Sequence, residues 1–141
     1  MKKDSFIVLI CIIAILIAVP ALMAAENQAA RTGKAERIEP KQLEGRWLRP
    51  DGGYILELRD IKKDGSLKAA YFNPRPINVA MASLQNKDGR ISLSVELRDV
   101  NYPGSLYELQ YDPKTDRLIG TYFQAVERQT FTIEFVRVKG Q

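Results

Sequence analysis

The sequence predicts an all-β domain of eight antiparallel strands that follow one another as an up-and-down meander and close into a barrel. From residue 43 onward, short apolar or alternating segments are each bounded by Gly, Asp, Asn or Pro. Residues 91–97 alternate apolar and polar side chains strictly, which predicts a strand with one buried face. We expect closure into a barrel because an open meander would leave two long edges unpaired.

The predicted barrel domain spans residues 43–139. In chain order, strands are expected at 45–50, 54–60, 67–72, 77–84, 90–97, 105–111, 117–124 and 130–138. Residues that favour turns separate them, at 50–53, 63–65, 73–76, 87–89, 101–104, 112–116 and 125–127. A barrel of this size is filled by side chains or holds one small ligand.

The N-terminal segment is typical of an exported protein. Lys2 and Lys3 precede an apolar run at residues 6–23 that ends in small residues, which predicts a signal peptide over residues 1–25. The protein would then reach the periplasm or the extracellular space. The length of the run also suits a membrane span, so an uncleaved anchor with the domain facing outward is the alternative. Residues 26–42 predict a flexible spacer, because large apolar side chains are scarce there.

The composition argues against most enzyme classes. The chain has no histidine, and its single cysteine, Cys11, lies in the apolar run. The domain therefore lacks the commonest general base, the usual zinc ligands and a thiol nucleophile. We predict a non-enzymatic protein without metal or cofactor. The remaining enzymatic hypothesis needs two of the loop carboxylates Asp51, Asp99 and Glu127 to face each other without arginine partners.

The distribution of charge argues against a nucleic-acid partner. Lys and Arg total 21 against 17 acidic residues, and the two signs are interspersed along the chain without a block of like charge. A membrane is expected as a partner only if the N-terminal segment stays uncleaved.

The start of the first strand carries a recognisable motif. Gly45-Arg46-Trp47, followed by a tight turn and the meandering strands, resembles the calycins, the avidin-like and lipocalin-like barrels. In those families a Gly-x-Trp packs at the closed end of the barrel beneath a basic side chain from the last strand. The resemblance implies a contact between Trp47 and Arg137. It does not imply biotin binding, because avidin-like sites use several tryptophans and Trp47 is the only one here.

The predicted loops divide into two chemically different sets, since alternate loops of a meander lie at the same end. The turns at 62–66, 86–89 and 112–116 carry lysines and are typical of solvent-facing hairpins. The opposite set carries arginine, which suits carboxylates, phosphates and interfaces, together with amide and phenol groups. The candidate ligand-binding residues at that end are Arg49, Asn73, Arg75, Arg98, Asn101, Tyr102, Gln124 and Arg128.

These patterns predict an exported binding protein whose open end takes a small polar or anionic ligand, or an acidic partner protein across the rim. The alternative is a structural or inhibitory protein–protein interaction module with a plugged barrel. A pocket containing Asn73, Arg75 and Tyr102 would favour the ligand hypothesis. A plugged mouth with an exposed apolar rim would favour the interaction module.

Overall fold

The computed structural model describes residues 38–140, so the predicted signal peptide and most of the predicted spacer lie outside the described residues. A short 3-10 helix, Pro40–Leu43, precedes the strands. The strands are β1 (Gly45–Arg49), β2 (Tyr54–Arg59), β3 (Lys68–Asn73), β4 (Arg75–Ile77), β5 (Val79–Lys87), β6 (Arg90–Asp99), β7 (Tyr102–Asp112), β8 (Arg117–Gln124) and β9 (Gln129–Arg137).

The strands form one antiparallel sheet in the order β4-β3-β2-β1-β9-β8-β7-β6-β5, which curls into a nearly closed up-and-down barrel. The first and last long strands meet where Trp47 pairs with Arg137. Beside β5, an isolated bridge joins Ser66 to Ser83, and the Leu84 amide donates to the Gly65 carbonyl at 2.9 Å. The predicted all-β antiparallel barrel is confirmed, and the architecture is compatible with a calycin-like fold.

The described part of the chain has nine strands, so the prediction of eight is wrong in one place. The additional strand is β4, which occupies residues expected as part of the turn at 73–76 and extends to Ile77, whereas the strand expected at 77–84 is β5 and begins at Val79. Pro74 and Pro76 cannot donate backbone hydrogen bonds, which keeps β4 to three residues at the sheet edge. Asn78 separates the two strands, and its backbone amide donates a hydrogen bond of 2.8 Å to Asp99 Oδ2.

The barrel interior is a packed core along most of its length. Strand β6 buries every second residue over 91–97, as the alternation predicts. The largest fully buried side chains include Trp47, Tyr71, Tyr107 and Phe135. Burial of such apolar side chains stabilises a fold by roughly 1.5–3 kcal/mol each, so the filled interior is the main source of stability for this domain.

One barrel end is covered by the 3-10 helix. Leu43 is fully buried, and its carbonyl accepts a hydrogen bond of 3.0 Å from Trp47 Nε1. The Arg137 guanidinium lies over the Trp47 ring, with Cζ 4.2 Å from the centroid, so the predicted contact between these residues is confirmed. Its nitrogens also bond the Gln42 carbonyl at 2.9 Å and Asp116 Oδ2 at 2.8 Å. Within residues 38–140, no helix has the length and apolarity to cross a membrane.

Candidate functional site

The opposite, open end of the barrel contains a cavity of about 370 Å³. It lies where β1, β3, β6 and β8 end and their successors begin. A concave site with a few convergent polar groups is the usual form of a small-molecule site. Its lining residues are Arg49, Tyr54, Tyr71, Asn73, Asn101, Tyr102, Tyr122, Gln124, Glu127 and Phe131.

Arg49 lies at the bottom of this cavity with its charge already compensated. It is the last residue of β1 and faces inward like Trp47 two positions earlier, so its side chain is buried. Its Nε and Nη2 donate to the two Asp51 carboxylate oxygens at 2.7 and 2.8 Å. Its Nη1 donates to the Tyr107 hydroxyl at 3.1 Å, which lies 2.8 Å from the Tyr71 hydroxyl.

Aromatic rings hold the Arg49 guanidinium from two directions. Its Cζ lies 5.1 Å from the centroid of Tyr54 and 5.2 Å from that of Tyr122, within the range of cation–π attraction. Tyr122 in turn stacks on Tyr107 with centroids 4.4 Å apart. Tyr107 meets Phe135 edge to face at 5.4 Å. The cavity therefore rests on a rigid aromatic floor.

The floor fixes the protonation of its own groups. Hydrogen bonding to Arg49 holds the pKa of Asp51 below its usual range. Burial by itself lowers the pKa of Arg49, but the hydrogen bonds to Asp51 and Tyr107 outweigh it and raise that pKa overall. Burial raises the pKa of Tyr107 to about 12 against the opposing effect of its hydrogen bonds, and burial also raises that of Tyr71. These shifts all move titration away from neutral pH, which suits a static binding surface.

The upper wall presents amide, phenol and carboxylate groups. Asn73 Nδ2 donates to the Tyr102 hydroxyl at 2.6 Å, which leaves Asn73 Oδ1 and the phenol proton available. Gln124 Oε1 accepts from the Glu127 amide at 2.5 Å, which leaves the Gln124 side-chain NH₂ available. Within residues 38–140 the Glu127 carboxylate forms no ion pair. Asn101 has φ of +68°, a conformation that Asn adopts more readily than most residues.

Five of the eight predicted site residues line the cavity, namely Arg49, Asn73, Asn101, Tyr102 and Gln124. The other three predicted residues, Arg75, Arg98 and Arg128, lie outside the lining. Arg98 pairs with Glu96, its Nε 3.1 Å from Oε1, because both follow inward-facing residues of β6 and point away from the core. Arg128 occupies the turn before β9 with φ of +55°, and Arg75 is exposed on the edge strand β4.

Five further lining residues were not among the predicted site residues, namely Tyr54, Tyr71, Tyr122, Glu127 and Phe131. The aromatic residues among them lie on strands, whereas the predicted site residues were sought in loops. Their position was the missed signal, because Tyr54 starts β2, and Tyr71 and Tyr122 lie near the ends of β3 and β8 on the open side. Inward-facing residues at strand ends line a mouth rather than a core.

A second concavity, of about 350 Å³, lies on the outer face of β5, β6 and β7. Its lining residues are Ser83, Gln85, Ser92, Leu93, Ser94, Glu108, Leu109 and Gln110. It contains no aromatic ring and no buried charged group, so the open-end cavity is the stronger candidate. In the described part of the chain, no group of three or more acidic residues, Cys or His is arranged to hold a metal ion.

Comparison with known proteins does not add a family to this description. No protein-family model, curated protein or solved structure matches the chain. The likeness to calycins thus rests on the barrel topology and on the contact between Trp47 and Arg137.

Proposed function

We propose that this protein is a non-enzymatic binding protein that takes a small polar molecule in the mouth of its barrel. The observation that carries the proposal is the open-end cavity of about 370 Å³, in which polar groups with unused hydrogen-bonding capacity surround a rigid aromatic floor. Sites of this size and composition are typical of small-molecule binding.

Preorganisation supports binding at this place. The hydrogen bond between Asn73 and Tyr102 ties β3 to β7, and Gln124 is fixed by the turn that it caps. Side chains that are already ordered lose less conformational entropy when a ligand arrives, so more of the contact energy becomes affinity.

The arrangement supports a polar ligand better than an anionic one. Arg49 is the arginine of the cavity lining, and its strongest donors are directed at Asp51. Glu127 adds a carboxylate to the same lining, which repels anions. Export to the periplasm or the extracellular space is part of the proposal and rests on the pattern of residues 1–25.

A ligand screen by thermal shift, followed by calorimetric titration, tests this function. A true ligand should stabilise the protein by about 2.7 kcal/mol at a hundredfold excess over its dissociation constant. Asn73→Ala should weaken the binding of that ligand, because it removes a side-chain amide from the cavity lining. Arg75→Ala is the matched control, since Arg75 is a near neighbour outside the cavity lining. The screen should include neutral, cationic and anionic compounds. If none of them binds in a way that Asn73→Ala weakens and Arg75→Ala does not, the proposal is wrong.

A protein–protein interaction module is the second candidate, favoured by apolar side chains on the rim. Val100 and Val126, in the loops of the open end, are 80% and 58% exposed. Arg98 and Arg128, each two residues away from one of these valines in the chain, are exposed, which suits an acidic partner. A Val100→Asp/Val126→Asp variant should lose a complex seen with the wild type in size-exclusion chromatography of the exported fraction. An unchanged complex would rule out the rim as the interface.

A further inference from the structure

We infer that the ligand of the open-end cavity is an uncharged, hydroxyl-rich molecule of the saccharide class. This inference rests on the proposed function and adds the chemistry of the ligand. It follows from three observations: the internal charge balance of the floor, the contact of Arg49 with the Tyr54 and Tyr122 rings, and the mixture of free donors and acceptors on the wall.

The charge balance argues against anions. Asp51 takes two donors of Arg49 in a bidentate pair, which satisfies the guanidinium charge inside the protein. Of the two charged residues in the lining, Arg49 and Glu127, it is Glu127 that forms no ion pair among residues 38–140. An anionic ligand would therefore enter next to a negative charge and would compete with Asp51 for Arg49.

The aromatic faces argue against organic cations. An organic cation binds over the exposed face of an aromatic ring, such as that of a tyrosine. Here Arg49 already lies between Tyr54 and Tyr122, with its Cζ at 5.1 and 5.2 Å from the two centroids. A second cation at those rings would meet the guanidinium as a like charge, so the cation position of this cage is filled by the protein itself.

The remaining groups match hydroxyls. Each hydroxyl both donates and accepts, and it therefore needs a wall with both kinds of partner. Asn73 Oδ1 and the Glu127 carboxylate accept, and the Gln124 NH₂ donates. A carboxylate oxygen forms short, charge-assisted bonds with O–H donors, which gives Glu127 a role that needs no ligand charge.

Phe131 supplies an apolar surface on the same wall. Phe131 is 39% exposed at the rim and lines the cavity beside Tyr122, its register partner on the adjacent strand β8. A sugar ring has hydroxyls at its edge and C–H groups on its faces, so it suits a wall with an aromatic face beside polar groups.

Titration calorimetry of the purified protein with five probes tests the ligand class. Glucose, N-acetylglucosamine and cellobiose are the neutral saccharides, and choline and citrate are the charged controls. We expect binding of at least one saccharide and none of choline or citrate. Equal affinity for glucose and cellobiose would indicate a free sugar, and tighter cellobiose binding would indicate the end of a glycan chain.

Two pairs of variants locate the bound saccharide. Glu127→Gln should weaken saccharide binding about tenfold, because it replaces a charge-assisted hydrogen bond with a neutral one that is roughly half as strong. Its control is Glu96→Gln, a carboxylate that pairs with Arg98 outside the lining. Phe131→Ala should weaken binding likewise. Phe123→Ala is its control, because Phe123 is 37% exposed on the neighbouring strand outside the cavity lining.

The outcomes separate the two proposals. Mouth-dependent binding of choline or citrate without any saccharide would overturn the saccharide inference and leave the binding function standing. Saccharide binding that Glu127→Gln and Phe131→Ala affect no more than their controls would also overturn it. No binding by these probes or by any compound of the wider screen would overturn the binding function itself.

Discussion

Arg49 and Tyr107 are 58 residues apart in the chain, and the guanidinium Nη1 donates a hydrogen bond of 3.1 Å to the phenol oxygen. This bond joins the end of β1 to the middle of β7 inside the barrel. The Tyr71 hydroxyl, 2.8 Å from that of Tyr107, extends the connection to β3. The hydrogen bonds among Arg49, Tyr107 and Tyr71 therefore stabilise the barrel, and the three side chains form the base of the open-end cavity.

Tyr107→Phe should destabilise the protein by about 1–3 kcal/mol, because it leaves a buried Arg49 donor and the Tyr71 hydroxyl without their partner. Urea-induced unfolding measures this change. Tyr111→Phe is the matched control, since its hydroxyl bonds the partly exposed Asp116 at 3.0 Å and water can replace that contact. The double variant Tyr71→Phe/Tyr107→Phe should lose less stability than the sum of the two single variants, since the hydroxyls share a bond. A Tyr107→Phe variant as stable as the control would contradict the account.

Asp51→Asn should make stability less dependent on acid pH. Hydrogen bonding to Arg49 lowers the folded-state pKa of Asp51, so the pair stabilises the fold fully above the unfolded pKa, near 3.9. That contribution is lost as pH falls through the folded pKa. Because Asp51 is largely exposed, we expect a difference from the wild type of only about 1 kcal/mol at pH 7. Thermal unfolding from pH 7 to pH 2 should show this difference shrinking, and a constant difference would mean that Asp51 does not titrate with the pair.

The strands were predictable because their pattern is local. Residues 91–97 alternate with the period of a half-buried strand, and β6 buries the expected face. The break between β4 and β5 at Asn78 depends on a partner elsewhere in the chain. The backbone amide of Asn78 donates a hydrogen bond to the side chain of Asp99, the last residue of β6. Two prolines before it indicated an irregular edge but not the position of the break.

The location of the candidate site could be predicted from the sequence, but the set of residues that line it could be predicted only in part. Sorting loops by barrel end identified the open end, and Arg49 could also be inferred to face inward from its spacing to Trp47. The pairing of Arg49 with Asp51 was harder to predict, because a carboxylate two residues away from the arginine is also typical of a turn. Arg98 lies outside the cavity lining because β6 continues through Asp99, beyond the predicted end of the strand at residue 97, and directs the Arg98 side chain outward.

The N-terminal prediction is tested by intact mass. If residues 1–25 act as a cleaved signal peptide, the protein recovered from the exported fraction should begin close to Glu26. Fractionation followed by mass spectrometry measures the start site. Recovery of the chain with residues 1–25 attached in the membrane fraction would support the anchor alternative instead.

Gly45→Ala should destabilise the covered end of the barrel by about 1–3 kcal/mol, because it forces an L-residue into a disfavoured backbone conformation. Gly45 has φ of +131°, well away from the left-handed helical region near +57° that alanine tolerates at moderate cost. The added Cβ would also lie 3.5 Å from Arg137 Nη1, the nitrogen that bonds the Glu44 carbonyl. Gly53→Ala is the matched control, since Gly53 has φ of +70° and open space around the new methyl group, so its loss should be smaller. Urea unfolding of both variants gives the comparison. Equal losses would mean that the glycine of the Gly-x-Trp motif is not required by the backbone at the Trp47–Arg137 contact.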